Sequence, residues 1–198
     1  KNYINILAHC LFRVNEERLY DLRKNKPIFI SESDYKGGDM LIQLQKFEKS
    51  DIRQLIGWIG SPAFLLQWAG SAFHYPLTET QLESYIENAN RKEADLYIYK
   101  VVEQETDKVI GHISLGRIDR KHRSARIGKV LVGERDVRGK GIGGQMIAEV
   151  LKFAFDELKL HRVCLGVFDF NTSAIACYEK AGFVKEGLLR DCRKNGDE

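Results

Sequence analysis

The sequence is poor in proline, in paired cysteine and in long apolar runs. Its 198 residues include three prolines and no low-complexity tract, which excludes a Pro-rich spacer and the compositional signature of disorder. Cys10, Cys164, Cys177 and Cys192 form no CxxC pair and have no histidines at matching spacing. A disulfide framework and a zinc site are therefore not expected, no metal is assigned, and a reducing cytoplasm is the expected compartment. No apolar run approaches the roughly 18 residues that span a bilayer. The opening KNYINILAHCLF also lacks the apolar core and cleavage site of a secretion signal. Charge of one sign is scarce as well: 31 Lys and Arg stand against 28 Asp and Glu, a net of +3. That balance does not call for a polyanionic polymer, so neither nucleic acid nor membrane is expected as a partner.

Methionine is scarce too, and the first is Met40. The residues before it, Lys36-Gly37-Gly38-Asp39, back-translate with permissible codons to a bacterial ribosome-binding sequence beside a start codon. Residues 1–39 are therefore expected to be a translated leader. The alternative is an N-terminal extension, with a short amphipathic helix over Glu16 to Lys24. Residues 40–198 are expected to form one domain, whose C-terminal RDCRKNGDE stops in a polar turn as if truncated.

What is present is a globular mixture, 43% hydrophobic and 30% charged. MLIQLQKF alternates as a strand. DIRQLIGWIG, the segment FLLQWAG after Ser61-Pro62, and TETQLESYIENANR read as three helices. LYIYKVVEQ and VIGHISLGRI flank a turn in the pattern of a hairpin, and ARIGKVLVG supplies a further strand. A strong amphipathic helix follows, with Met146, Ile147, Val150, Leu151, Ala154, Phe155 and Leu158 at helical spacing. HRVCLGVF, NTSAIACYEKAG and FVKEGLLRD then read as strand, helix and strand. The predicted order from Met40 is β-α-α-α-β-β-β-α-β-α-β, an α+β or α/β layered design.

The loop RGKGIGG, with Gly139, Gly141, Gly143 and Gly144, sits between a strand and that amphipathic helix. One glycine is explained by a tight connection; four are not. A nucleotide P-loop needs Gly-Lys followed by Ser or Thr, which is absent. Gly139, Gly141 and Gly144 match GxGxxG, but too little chain follows for the remaining units of a dinucleotide fold. The remaining reading is an anion nest, whose backbone N–H groups converge on a phosphate at the positive end of the next helix, with Arg138 and Lys140 adding charge.

The Arg138-Gly139-Lys140-Gly141-Ile142-Gly143 run resembles the pyrophosphate-binding signature of the GNAT superfamily of acetyl-CoA-dependent N-acetyltransferases. NTSAIACYEKAGFVKEG resembles that family's second recurrent block. The resemblance covers about Leu96 to Asp191, and the order of the segments is similar to the ribosomal-protein N-terminal alanine acetyltransferase branch. It implies three layers, α/β/α, around a mixed, mostly antiparallel sheet. The sheet would be splayed at an acetyl-CoA cleft between Lys129–Val132 and Arg162–Phe168. It further implies that main-chain groups of Val130, Leu131 and Val132 bond the acetyl and pantetheine amides, and that Arg138 to Gly144 hold the pyrophosphate. Asn171 would contact the pantetheine arm, and Tyr178 would protonate the departing sulfur. The implied activity is transfer of the acetyl group to a primary amine of a small molecule or protein N-terminus, by a bacterial monomer or homodimer. The alternative is a domain that binds CoA without catalysis.

The glutamate that many relatives carry before the glycine loop has no counterpart in SARIGKVLVG, which offers Arg126 and Lys129 instead. Glu134 and His112 are the candidate bases, with a water chain as the alternative. In the aromatic stretch from Trp58 to Tyr75, most rings are expected in the core. Phe73, His74 and Tyr75, in a loop before Pro76, are expected to line the acceptor pocket. The basic turn Arg120-Lys121-His122-Arg123 is expected to be solvated surface.

Overall fold

The computed structural model describes residues 5–17 and 41–195. Seven strands form one sheet: β1 (Asn5–Asn15), β2 (Ile42–Lys46), β3 (Leu96–Glu103), β4 (Val109–Asp119), β5 (Ser124–Val132), β6 (Arg162–Phe168) and β7 (Val184–Asn195), in the order β2-β3-β4-β5-β6-β1-β7. All neighbours are antiparallel except β5 and β6. Three helices, α1 (Ile52–Trp58), α2 (Pro62–Ala69) and α3 (Glu79–Ile86), come between β2 and β3. The helix α4 (Ile142–Lys152) joins β5 to β6, and α5 (Thr172–Lys180) joins β6 to β7. None of the described helices is long and apolar enough to cross a membrane.

Local chemistry sets these boundaries. Ser61 caps α2, accepting from the Phe64 amide, with Pro62 at the first position where its missing N–H costs nothing. Thr78 caps α3 in the same way, through the Gln81 amide. In α4 the predicted apolar positions Met146, Ile147, Val150 and Leu151 are buried, and Ile142 joins them at the first turn. The helix runs on through a π turn at Phe153–Glu157 that keeps Ala154 and Phe155 in the core.

The strand the sequence reading passed over is β1. It lies inside the segment expected to be leader, yet it occupies the place between β6 and β7, paired to both. Its alternate residues Cys10, Phe12 and Val14 are buried in the main core. Residues 5–15 are thus part of the sheet rather than an appendage to it. The helix expected over Glu16 to Lys24 lies beyond residue 17 outside the described residues, as does Lys36–Asp39. The final strand runs on to Asn195 and pairs with β1 along the sheet edge.

The two faces of the sheet bury different material. One carries α4, with β-strand residues Ile113, Leu115, Ile127 and Leu165. The other is covered by the helices between β2 and β3, where Phe47, Leu55, Leu65, Trp68 and Leu82 meet Ile98 and Leu131 of the sheet.

Candidate active site

The only parallel pairing in the described sheet is short. β5 and β6 are joined at Ser124, Ala125 and Arg126, opposite Arg162, Val163 and Cys164. Beyond Arg126 the two strands part, and Ile127–Val132 have no register with Leu165–Phe168, which stay paired to β1 along their other edge. The gap is the splay implied by the family resemblance. Backbone amides and carbonyls along such an edge are unpaired donors and acceptors, able to bond an amide-bearing ligand as another strand would.

The glycine loop stands where β5 ends. Gly139 and Gly141 both have φ 79, a left-handed conformation that costs a side-chain-bearing residue about 1–2 kcal/mol. Gly141 is the N-cap of α4. Its carbonyl accepts from the amides of Gly144 and Gln145, at 3.0 and 3.2 Å, so Gly144 is bonded within the turn and is not a free donor for an anion. The amides of Ile142 and Gly143 open the helix and have no intrahelical acceptor. Arg138 does not extend its charge into the nest. Its guanidinium folds back to donate to the carbonyls of Val132 and Gly133, at 3.0 and 3.2 Å, tying the loop to the end of β5.

The second sequence block lies alongside. α4 and α5 pack together, with the Cys177 sulfur against the backbone of Gly143. Asn171 caps α5, its side-chain oxygen accepting from the Ala174 amide at 3.3 Å and the Ser173 hydroxyl at 3.2 Å, so that oxygen already has donors. Tyr178 is buried in the main core near Phe183, and burial pushes its phenol well above the usual range. A phenol held in its neutral form is a proton donor rather than a proton acceptor.

Both candidate bases are engaged in contacts of the fold. Glu134 accepts from Trp58 Nε1 at 3.3 Å through one oxygen, and through the other pairs with Lys108 at 3.1 Å. Its carboxylate thus holds the end of β5 to α1. His112 is completely buried, with Phe47, Trp68 and Tyr85 around its ring. Burial lowers its pKa to about 4, so it is neutral at physiological pH. Its Nδ1 lies 2.9 Å from the Lys129 carbonyl, which fixes the proton on Nδ1, while Nε2 has no partner among the described residues. The open lone pair is therefore on Nε2, but Phe47, Trp68 and Tyr85 enclose the ring, and its lowered pKa makes it a weak proton acceptor.

That carbonyl belongs to a bulge in β5. The register against β4 passes from Ser114↔Gly128 to His112↔Leu131, and Lys129 has φ 51. The carbonyls stranded by the slip are taken by side chains of β4: Ser114 Oγ donates to Gly128 at 3.0 Å, beside the His112 bond to Lys129. The bulge turns Lys129 onto the aromatic face, where its ammonium lies 4.6 Å from the Tyr85 ring centre and 5.5 Å from that of Phe73.

Of the three expected acceptor residues, only Phe73 faces this place, stacked 5.9 Å from Trp68. His74 is exposed and Tyr75 is 47% exposed. The loop is held by Gln81, which accepts from the His74 amide and donates to the carbonyls of His74 and Pro76. Lys129, which with Arg126 stands in the stretch where many relatives carry a glutamate, is brought onto this aromatic surface by the bulge.

The family profile of the acetyltransferase (GNAT) domain matches residues 42–184. The chain belongs to the GNAT family. The SPbeta prophage-derived uncharacterized N-acetyltransferase YokL of Bacillus subtilis (strain 168) is 34% identical over 119 residues, 60% of this chain and 64% of that protein. The match thus spans under two thirds of that relative's length. The spermidine N(1)-acetyltransferase of Vibrio cholerae is 29% identical over 150 residues, 75% of this chain and 82% of that protein. A crystal structure of spermidine N-acetyltransferase from Vibrio cholerae in complex with CoA and spermine superposes with a TM-score of 0.63 at 24% identity, over 74% of this chain and 82% of that one. The GNAT fold of the chain is thereby established.

Proposed function

We propose that the protein is an N-acetyltransferase that passes the acetyl group of acetyl-CoA to a primary amine by direct attack in a ternary complex. The observation that carries this reading is the parting of β5 from β6 beyond Arg126, with the glycine loop and the N-terminus of α4 at its mouth. An extended pantetheine arm would lie in the gap against the main chain of Val130, Leu131 and Val132. The pyrophosphate would rest on the amides from Gly139 to Gly143, favoured by the positive end of the helix. Lys140 would add charge, and Arg138 would act indirectly, by holding the loop to β5. Asn171 sets the start of α5 beside the arm, and Tyr178 is the proton donor for the departing thiolate. The helices between β2 and β3 carry the acceptor amine, with Phe73 on its wall.

Members of the family named for spermidine point to one acceptor class, and the resemblance to the alanine acetyltransferase branch points to another. All four cysteines carry free thiols, which supports a reducing, cytoplasmic setting, and the relatives above are bacterial. The test has two steps. A thermal-shift titration should show acetyl-CoA raising the melting temperature, with ATP and NADH as negative controls. Thiol release from acetyl-CoA is then followed with spermidine and with a peptide bearing an N-terminal alanine. A shift with turnover of either amine supports the enzyme. A shift without turnover of any amine supports the CoA-binding domain instead, a reading favoured by the engagement of both Glu134 and His112. No shift removes both.

A further inference from the structure

The geometry points to Lys129 as the proton acceptor for the incoming amine, presented to the cleft by a β5 bulge that His112 and Ser114 clamp. The inference rests on the acetyl-transfer reading, and it gives that site the base that neither Glu134 nor His112 supplies.

Three observations place Lys129 in this role. It lies on the stretch of β5 that has parted from β6, the same stretch expected to lie along the cofactor. The left-handed bulge reverses the alternation of the strand at this residue. Ala125 and Ile127 face the α4 side, whereas the Lys129 side chain reaches the rings of Phe73 and Tyr85 on the other. Among the described residues no carboxylate pairs with its ammonium, so no acid holds the proton on. The groups facing it are Tyr85 from α3, whose phenol burial keeps neutral, Phe73 from the loop after α2, and His112 and Arg117 from β4. His112 is uncharged and Arg117 is a like charge. In keeping with that setting, burial first and Arg117 second lower the lysine pKa to about 8. At physiological pH the charged form still predominates, and a minor neutral fraction is available as the base.

The step balances without any further reagent. An acceptor R–NH3+ gives a proton to the Lys129 Nζ lone pair and becomes R–NH2. The free amine attacks the thioester carbonyl carbon, the C–N bond forms and the C–S bond breaks. CoA leaves as a thiolate, is protonated through Tyr178 and departs as the thiol. The second nitrogen proton replenishes Tyr178, and Lys129 returns its proton to water. His112 and Ser114 are positioning residues that act through the two bulge carbonyls.

The experiment compares wild type with Lys129→Arg and Lys129→Met. Arginine keeps the charge but cannot accept a proton at neutral pH. Acetyl transfer to spermidine and to an alanyl peptide is measured from pH 6 to 10, and acetyl-CoA binding is followed by thermal shift. In parallel, trace labelling of the wild type with acetic anhydride, read by peptide mass spectrometry across the same range, reports the titration of Lys129 itself. The expected result is a fall in kcat/KM of about 100-fold or more in both variants. The wild-type rise with pH centred near 8 should be lost, with the acetyl-CoA shift unchanged and Lys129 labelling titrating well below the other lysines. His112→Gln should move the midpoint of that profile, which a merely structural role would not do. A Lys129→Arg protein with wild-type rate and profile overturns the proposal. If wild type binds acetyl-CoA but transfers to no amine, the acetyl-transfer reading falls first. Labelling then decides for Lys129, and titration with the ordinary lysines overturns the assignment.

Discussion

The two faces of the sheet are built on different plans. On the α4 face the core is mainly aliphatic and continuous across the described strands. On the face under the helices between β2 and β3 the packing is aromatic, and inside it lie a neutral imidazole and a lysine. The first face gains stability simply from area removed from water. The second holds titratable groups in low dielectric, where their ordinary proton affinities cannot persist. The contrast separates plain apolar packing from packing that encloses titratable groups, although both share the same seven strands.

The sharpest break in that contrast is removal of residues 1–39. It takes Cys10, Phe12 and Val14 out of the aliphatic core and leaves β6 and β7 without their shared partner. Each large apolar side chain is worth roughly 1.5–3 kcal/mol when buried, against a total stability of about 5–15 kcal/mol. A chain beginning at Met40 should therefore lose its cooperative thermal transition, as measured by circular dichroism. A smaller effect on the same face comes from Met146→Ala at a fully buried site. The expected cost is about 2–5 kcal/mol, or roughly 5–15 °C in Tm, by calorimetry.

The aromatic face should answer to pH instead. The folded pKa of His112 lies below its unfolded value, so the unfolded state binds more protons between pH 6.5 and about 4. Stability from this residue is present above pH 6.5 and is lost as pH falls through that window, by on the order of 3 kcal/mol. Denaturant titrations of wild type and His112→Gln should differ in slope over that range. Lys129 has the same sign at a higher window, adding stability as pH rises from about 8 toward 10.5. At the mouth of the cleft, Gly141→Ala forces a side chain into φ 79 and should cost about 1–2 kcal/mol, with weaker acetyl-CoA binding by calorimetric titration. Least of all, Arg53→Ala removes an exposed pair with Glu79 and should change stability by less than about 1 kcal/mol.

Much of the fold was legible because its elements announce themselves locally. The periodicity of α4, Pro62 after a capping serine, and the turn at Glu105–Lys108 each act within a few residues, and each is found where expected. The period-two pattern of Cys10, Phe12 and Val14 was equally present, but a strand's partners are not written in the strand, and those of β1 lie at the far end of the chain. At the site, the glycine loop could be placed from its composition. The fate of Arg138, Glu134 and His112 could not, because each is settled by a contact made only after folding: two carbonyls, an indole with a lysine, and a bulge. Lys129 was visible as a residue. Its φ of 51 was not, since no sequence pattern announces a bulge whose stranded carbonyls are satisfied by side chains of the neighbouring strand.

The place of β1 also sets an order of events. Among the described strands it is the first made by the ribosome, but both strands it joins are the last. During synthesis its edge must wait unpaired while β2 through β5 assemble, and the sheet can close only when β7 emerges. Such long-range closure is slow and leaves an exposed strand open to wrong partners. Closure of the sheet across β6, β1 and β7 should therefore finish only after the last of these strands has been made.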